Sequence, residues 1–109
     1  MAGFEMSERI ARSPRDVFDF ITAPGNAPRV VPSVKGMVKL TEGPAGVGTR
    51  YRETRLMHGK EAHAELEVVE YEPGQIYAMR NLTEGIETVY RYSFHPEAGG
   101  TRVDLPSFS

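Results

Sequence analysis

The chain has 109 residues, 39% of them hydrophobic and 26% charged, with a formal net charge of −2 and no cysteine. That length fits one domain around one core, and the lack of cysteine excludes disulfides, thiolate zinc sites and cysteine nucleophiles. Thirteen basic and fifteen acidic residues are interspersed, leaving no basic stripe for nucleic acid and no polybasic segment for an anionic membrane.

Residues 1–5 lack the basic start and apolar run of a signal peptide, and no stretch reaches transmembrane length, so a cytoplasmic protein without membrane insertion is expected. Residues 4–10 alternate apolar and polar and predict a first strand with Phe4, Met6 and Ile10 facing inward. Glu8 interrupts that row. It is either a cavity carboxylate or a residue turned to solvent by a bulge or an edge position. Ser13-Pro14-Arg15-Asp16 then marks a helix start, with serine at the N-cap, proline at the first helical position and an acid at the third. Val17, Phe18, Phe20 and Ile21 give that helix its apolar side, and Ala23-Pro24-Gly25 ends it. Asn26 is expected to cap a second short helix that runs through Val30 and Val31 and stops at Pro32.

From here the apolar period changes to two. Strands are predicted over residues 36–41, 49–58, 61–71, 75–82, 86–94 and 101–107, with a glycine-rich loop over 42–48. Two-residue turns at Gly59-Lys60, Pro73-Gly74 and Glu84-Gly85 and a four-residue turn after Pro96 fix trial registers. They set Tyr51 opposite Val68, Glu53 opposite Leu66, Arg55 opposite Ala64, Val68 opposite Met79, Met79 opposite Tyr90, Tyr77 opposite Tyr92 and Phe94 opposite Val103. All four place apolar residues on one common face and line Arg52, Glu67 and Arg80 across the other, an agreement that a one-residue slip would break. The expectation is an antiparallel meander with one wet face and one aromatic face.

Ile10-Ala11-Arg12-Ser13-Pro14-Arg15-Asp16-Val17-Phe18-Asp19-Phe20-Ile21 resembles the opening strand-to-helix segment of the polyketide cyclase/dehydrase-like proteins of the START/Bet v 1-like (SRPBCC) superfamily. Gly46-Val47-Gly48-Thr49-Arg50-Tyr51, Val69-Glu70-Tyr71-Glu72-Pro73-Gly74 and Gly99-Gly100-Thr101-Arg102-Val103 are similar to its third-strand entry, fourth-strand exit and last hairpin. The resemblance spans nearly the whole chain. It implies an α+β helix-grip fold: a curved antiparallel sheet of about seven strands with two short helices between the first and second. In that family a long C-terminal helix lies across the concave face. Here the sequence stops at Asp104-Leu105-Pro106-Ser107-Phe108-Ser109, so residues 1–109 are expected to form a single helix-grip domain without that helix, and a homodimer is one way to cover the exposed face.

The strongest candidate site is the set of polar residues on the inner face: Glu53 and Arg55, two apart, and Asn81 opposite Thr88. Charges facing a core must be paired or wet, and a ligand cavity combines apolar walls with a few placed polar groups. In this reading Arg55 anchors an anionic or carbonyl end of a ligand while Glu53 orients Arg55 or exchanges protons. The same two residues also fit a plain ion pair at a solvated mouth. Tyr77, Tyr90 and Tyr92 offer phenols that can donate to a developing enolate, or fill the core. Tyr51, Leu66, Val68, Met79 and Phe94 complete the expected ligand-facing wall. Catalytic candidates are Glu53, Arg55 and Tyr90.

His58 and His63 flank a turn on the outer face and lack the convergent ligands of a metal site, so no metal and no cofactor are expected. His95 carries no further signal. The loop over 42–48 lacks the lysine, the serine or threonine and the following helix of a phosphate loop. Three readings stay open: a binding protein for a small hydrophobic or aromatic ligand, lipid- or polyketide-like; a polyketide cyclase, aromatase or dehydratase; and a protein-interaction module that associates through its uncovered face.

Overall fold

The computed structural model describes residues 6–82 and 88–106. Strand β1 (Met6–Ile10) leads to helix α1 (Pro14–Thr22), a 3-10 turn (Pro24–Asn26) and helix α2 (Ala27–Val30). Strands β2 (Val34–Lys39), β3 (Arg50–Met57), β4 (Lys60–Glu72), β5 (Ile76–Asn81), β6 (Thr88–Glu97) and β7 (Gly100–Leu105) follow. They form one antiparallel sheet in the order β1-β7-β6-β5-β4-β3-β2. The first strand therefore pairs with the last, and the two helices carry the chain from one edge of the curled sheet to the other. This is the expected helix-grip arrangement. Among the described residues no helix follows β7, and none is long and apolar enough to cross a membrane. The Glu84-Gly85 turn, Phe4, the start of β6 at Ile86 and residues 107–109 lie outside the described residues.

Helix α1 begins as its sequence dictates. Ser13 is extended, and its hydroxyl accepts from the Asp16 N–H at 3.1 Å, satisfying one of the four orphan donors of the first turn. Val17 and Phe18 are the buried residues of α1. Asn26 departs from expectation. It makes no side-chain cap for α2; its Nδ2 donates instead to the Phe20 carbonyl at 3.0 Å, closing the open C-terminal end of α1.

The registers of β5 with β6 and of β6 with β7 are those predicted, with Tyr77 opposite Tyr92, Met79 opposite Tyr90 and Phe94 opposite Val103. The β3–β4 register differs by two residues. Tyr51 faces Leu66 rather than Val68, Glu53 faces Ala64 and Arg55 faces Ala62. The turn is His58-Gly59, not Gly59-Lys60, because His58 itself takes a left-handed φ of 52° beside Gly59 at 78°. Positive φ at both central residues is what a type I′ hairpin requires. A shift of two preserves the faces but exchanges charge partners, so Arg50 rather than Arg52 stands opposite Glu67.

Between β4 and β5 the predicted pairs Val68–Met79 and Glu67–Arg80 are present, but the route to them is different. Gln75 N–H donates to the Glu72 carbonyl at 2.8 Å, and the strands close at Glu72–Ile76, one residue later than a two-residue loop would place them. A bulge between Val68 and Glu70 restores the count. It turns Glu70 to the outer face, where it pairs with Arg91 at 2.7 Å, and turns Tyr71 inward opposite Tyr77.

The core lies between the concave face and α1. Phe18, 1% exposed, meets Tyr71, Phe94 and Tyr77 edge-on at centroid distances of 5.2, 5.3 and 6.1 Å, the arrangement that aromatic quadrupoles favour. The outer face is charged. Arg80 pairs with Glu67 at 2.7 Å. Asp104 accepts from the Ser7 hydroxyl at 2.7 Å and also meets Arg102 and His95, joining β1, β7 and β6. The Ser7 hydrogen bond is the first reason that the Asp104 carboxyl is held below its ordinary range; the charges of Arg102 and His95 add to it, and burial opposes it. The glycine-rich loop is a structural turn: buried Thr49 accepts through its hydroxyl from the Gly46 N–H at 3.0 Å and returns its own N–H to the Gly46 carbonyl.

Candidate functional site

Among the described residues the concave face carries a chamber and a cleft that share a border. The first is a small chamber of about 30 Å³ between α1, α2 and the strands β2 to β6. Its polar corner is the Glu53–Arg55 pair, brought together because alternate residues of β3 project the same way. Arg55 Nε donates to Glu53 Oε1 at 2.6 Å. Glu53 is 5% exposed, so this charge sits inside and is compensated where it sits. Leu66, Tyr77, Met79, Tyr90 and Tyr92 form the sheet side of the chamber.

The second space is a cleft of about 520 Å³ between α1, α2 and the β1–β7 edge. Its walls are Ile10, Val17, Phe20, Val103 and Leu105, and its rim carries Glu8, Arg12, Asp16 and Arg29. Ile21 and Val30 line both spaces and stand between them. Ordinary ligand pockets run from about 300 to 1,000 Å³ with apolar walls and few polar groups. The cleft has that size; the chamber has room for a small head group, since one water needs roughly 10–15 Å³ of such volume.

The expected residues divide among three places. Glu53, Arg55, Leu66, Tyr77, Met79, Tyr90 and Tyr92 meet around the chamber. Tyr51, Val68 and Phe94 are buried in the core and line neither space. Asn81 and Thr88 are register partners at the ends of β5 and β6, half-buried, and do not line the chamber. No bulge displaces Glu8, since β1 pairs with β7 without interruption; it is exposed on this edge strand, as an edge position implies, and stands opposite Val103 at the cleft. His63 Nδ1 shares a hydrogen bond with the Thr54 hydroxyl at 3.1 Å, while His58 occupies its turn. Among the described residues no three histidine, aspartate or glutamate side chains converge as metal ligands would.

The phenols differ in their use. Tyr77 donates to the Met79 sulfur at 3.3 Å. Burial raises its pKa well above the ordinary phenol value, and the neighbouring Tyr51, Tyr92 and Tyr71 add to the effect. Tyr92 is raised too, first by burial and then by the negative charge of Glu53, against which Arg55 acts. Tyr92 therefore stays protonated at neutral pH and can donate a hydrogen bond but cannot act as a base. Sequence reasoning missed Tyr71, Phe20 and the cleft. A signal for Tyr71 existed: without a bulge, Glu70 would face Tyr77 on the dry side.

The sequence matches the "Polyketide cyclase / dehydrase and lipid transport" family over residues 1–107, and the chain belongs to that family. Its fold is shared with several solved structures. DR_A0006 from Deinococcus radiodurans aligns with a TM-score of 0.77 at 21% identity, covering 93% of this chain and 76% of that one. Ara h 8.0201 aligns with a TM-score of 0.71 at 18% identity, covering 94% and 72%. The di-domain ARO/CYC BexL from the BE-7585A biosynthetic pathway gives a TM-score of 0.72 at 19% identity, covering 94% of this chain and 35% of that one. At such identities the likeness is one of fold. No curated protein matches the sequence.

Proposed function

We propose that the concave face binds a small hydrophobic or aromatic molecule, with its apolar body in the cleft and a polar head reaching past Ile21 and Val30 into the chamber. The observation that carries this reading is the junction itself: an apolar space of about 520 Å³ adjoins a chamber of about 30 Å³ that holds a buried ion pair. Burial of the ligand's apolar surface supplies the affinity, at roughly 25 cal/mol per Å² removed from water before the costs of association. The chamber polar groups supply orientation. Membership of a family that joins cyclases with lipid transport supports a hydrophobic ligand. Binding is favoured over catalysis because the cleft is open to water, which weakens electrostatic catalysis.

Titration with the neutral fluorophore N-phenyl-1-naphthylamine tests the proposal. Saturable, one-to-one binding with blue-shifted emission is expected. Leu105→Arg, which places a charge on the cleft wall, should abolish it while the circular dichroism spectrum is retained. Non-saturable binding, or binding indifferent to Leu105→Arg, would overturn the reading.

A further inference from the structure

We propose that the head group selected by the chamber is a neutral hydrogen-bond acceptor, a ketone, ester or amide carbonyl, and that the chamber discriminates against carboxylates although an arginine lines it. This rests on the ligand-binding reading above and specifies the chemistry of its polar end.

An arginine in an apolar pocket ordinarily suggests an anion. Here its charge is already answered. Arg55 Nε is committed to Glu53 Oε1 at 2.6 Å, and the two side chains are only 20% and 7% exposed. A carboxylate brought to the remaining Nη groups would share one guanidinium with Glu53, so the chamber would hold two negative charges and one positive away from bulk water. Like charges gathered in such a place are disfavoured, and solvent screens them little. A cationic head fares no better, because Arg55 occupies its natural partner. A carbonyl oxygen carries no net charge and accepts from an Arg55 Nη at no such cost.

The cleft rim supplies no net positive charge to offset the extra negative one: its two carboxylates, Glu8 and Asp16, balance its two guanidiniums, Arg12 and Arg29. Burial and the charge of Glu53 keep the Tyr92 phenol neutral, a donor without charge. At about 30 Å³ the chamber has room for a carbonyl oxygen.

The test uses matched naphthalenes that compete with N-phenyl-1-naphthylamine at pH 7.5. In the wild-type protein, 2-acetonaphthone and methyl 2-naphthoate should displace the probe at least about tenfold more tightly than 2-naphthoate, and high salt should narrow the gap only slightly. Glu53→Gln should tighten 2-naphthoate until the preference disappears or inverts. If that variant does not fold, the wild-type comparison of ester with carboxylate decides alone, since the two differ chiefly in charge. Equal or tighter binding of 2-naphthoate by the wild-type protein would overturn the proposal and leave ligand binding standing. An ester bound as weakly as the acid would also overturn it, because size and not charge would then select. Failure of the probe itself to bind would remove both readings.

Discussion

Phe18 and Phe20 lie two residues apart on α1 and live in different worlds. Phe18 is 1% exposed and meets three aromatic rings edge-on; Phe20 is 43% exposed and lines an open cleft. The helix turns about 200° between them, so one points into the packed end of the concave face and the other along its open side. The packed end is where the fold keeps its stability. The open side shares Val17 and Val103 with the core and provides the space for a ligand. Hydrophobic patterning alone gives both residues to the same apolar stripe, and only the shape of the sheet separates them.

Substitutions can sharpen that contrast. The largest effect is expected from Phe18→Ala, a loss of about 3–5 kcal/mol in unfolding free energy as the ring cluster opens, measured by urea denaturation. Next is an alkaline transition. Tyr51, Tyr77 and Tyr92 have pKa values raised by burial in the folded state. A raised folded value means that the stabilisation is complete below the unfolded phenol value of about 10 and is lost as pH climbs beyond it. Melting temperature should hold steady to about pH 9.5 and fall steeply above 10, and phenolate absorbance should rise with unfolding. A gradual phenolate titration of an intact fold would show that these rings are wet.

Gly100→Ala is expected to cost about 1–3 kcal/mol. A Cβ there would stand 2.3 Å from the Ile10 carbonyl oxygen and press β1 away from β7. Because that pair forms the back of the cleft, probe binding should weaken together with stability. The smallest effect belongs to Phe20→Ser, within about 0.5 kcal/mol in stability, but with clear loss of probe affinity. A large destabilisation by Phe20→Ser would erase the division between the two sides.

Much of this plan was legible in the residues. Ser13-Pro14-Arg15-Asp16 announced α1, and the rings of β5 and β6 fixed their own register through Tyr77, Tyr92, Met79 and Tyr90. What could not be read were features that alternation does not encode. His58 adopts a left-handed turn that a non-glycine residue seldom takes, and so moved one hairpin by two places. Glu53 and Arg55 could be placed on one face, but their contact depends on rotamers. Alternation puts Tyr51 and Phe94 on the ligand-facing side of the sheet; the structure has them buried in the core, and they line neither the chamber nor the cleft. Counting by twos identifies a face and leaves open how deep each side chain lies.

The irregularity at Val69 carries a consequence for how this chain can change over time. Without that single residue Val68, Glu70 and Tyr71 would alternate regularly, keeping the acid outside beside Arg91 and the phenol inside among the rings around Phe18. Identity is thus more tightly held here than length: the chain can lose Val69 without turning a side chain to the wrong face, whereas exchanging Glu70 with Tyr71 would bury an acid beside Tyr77.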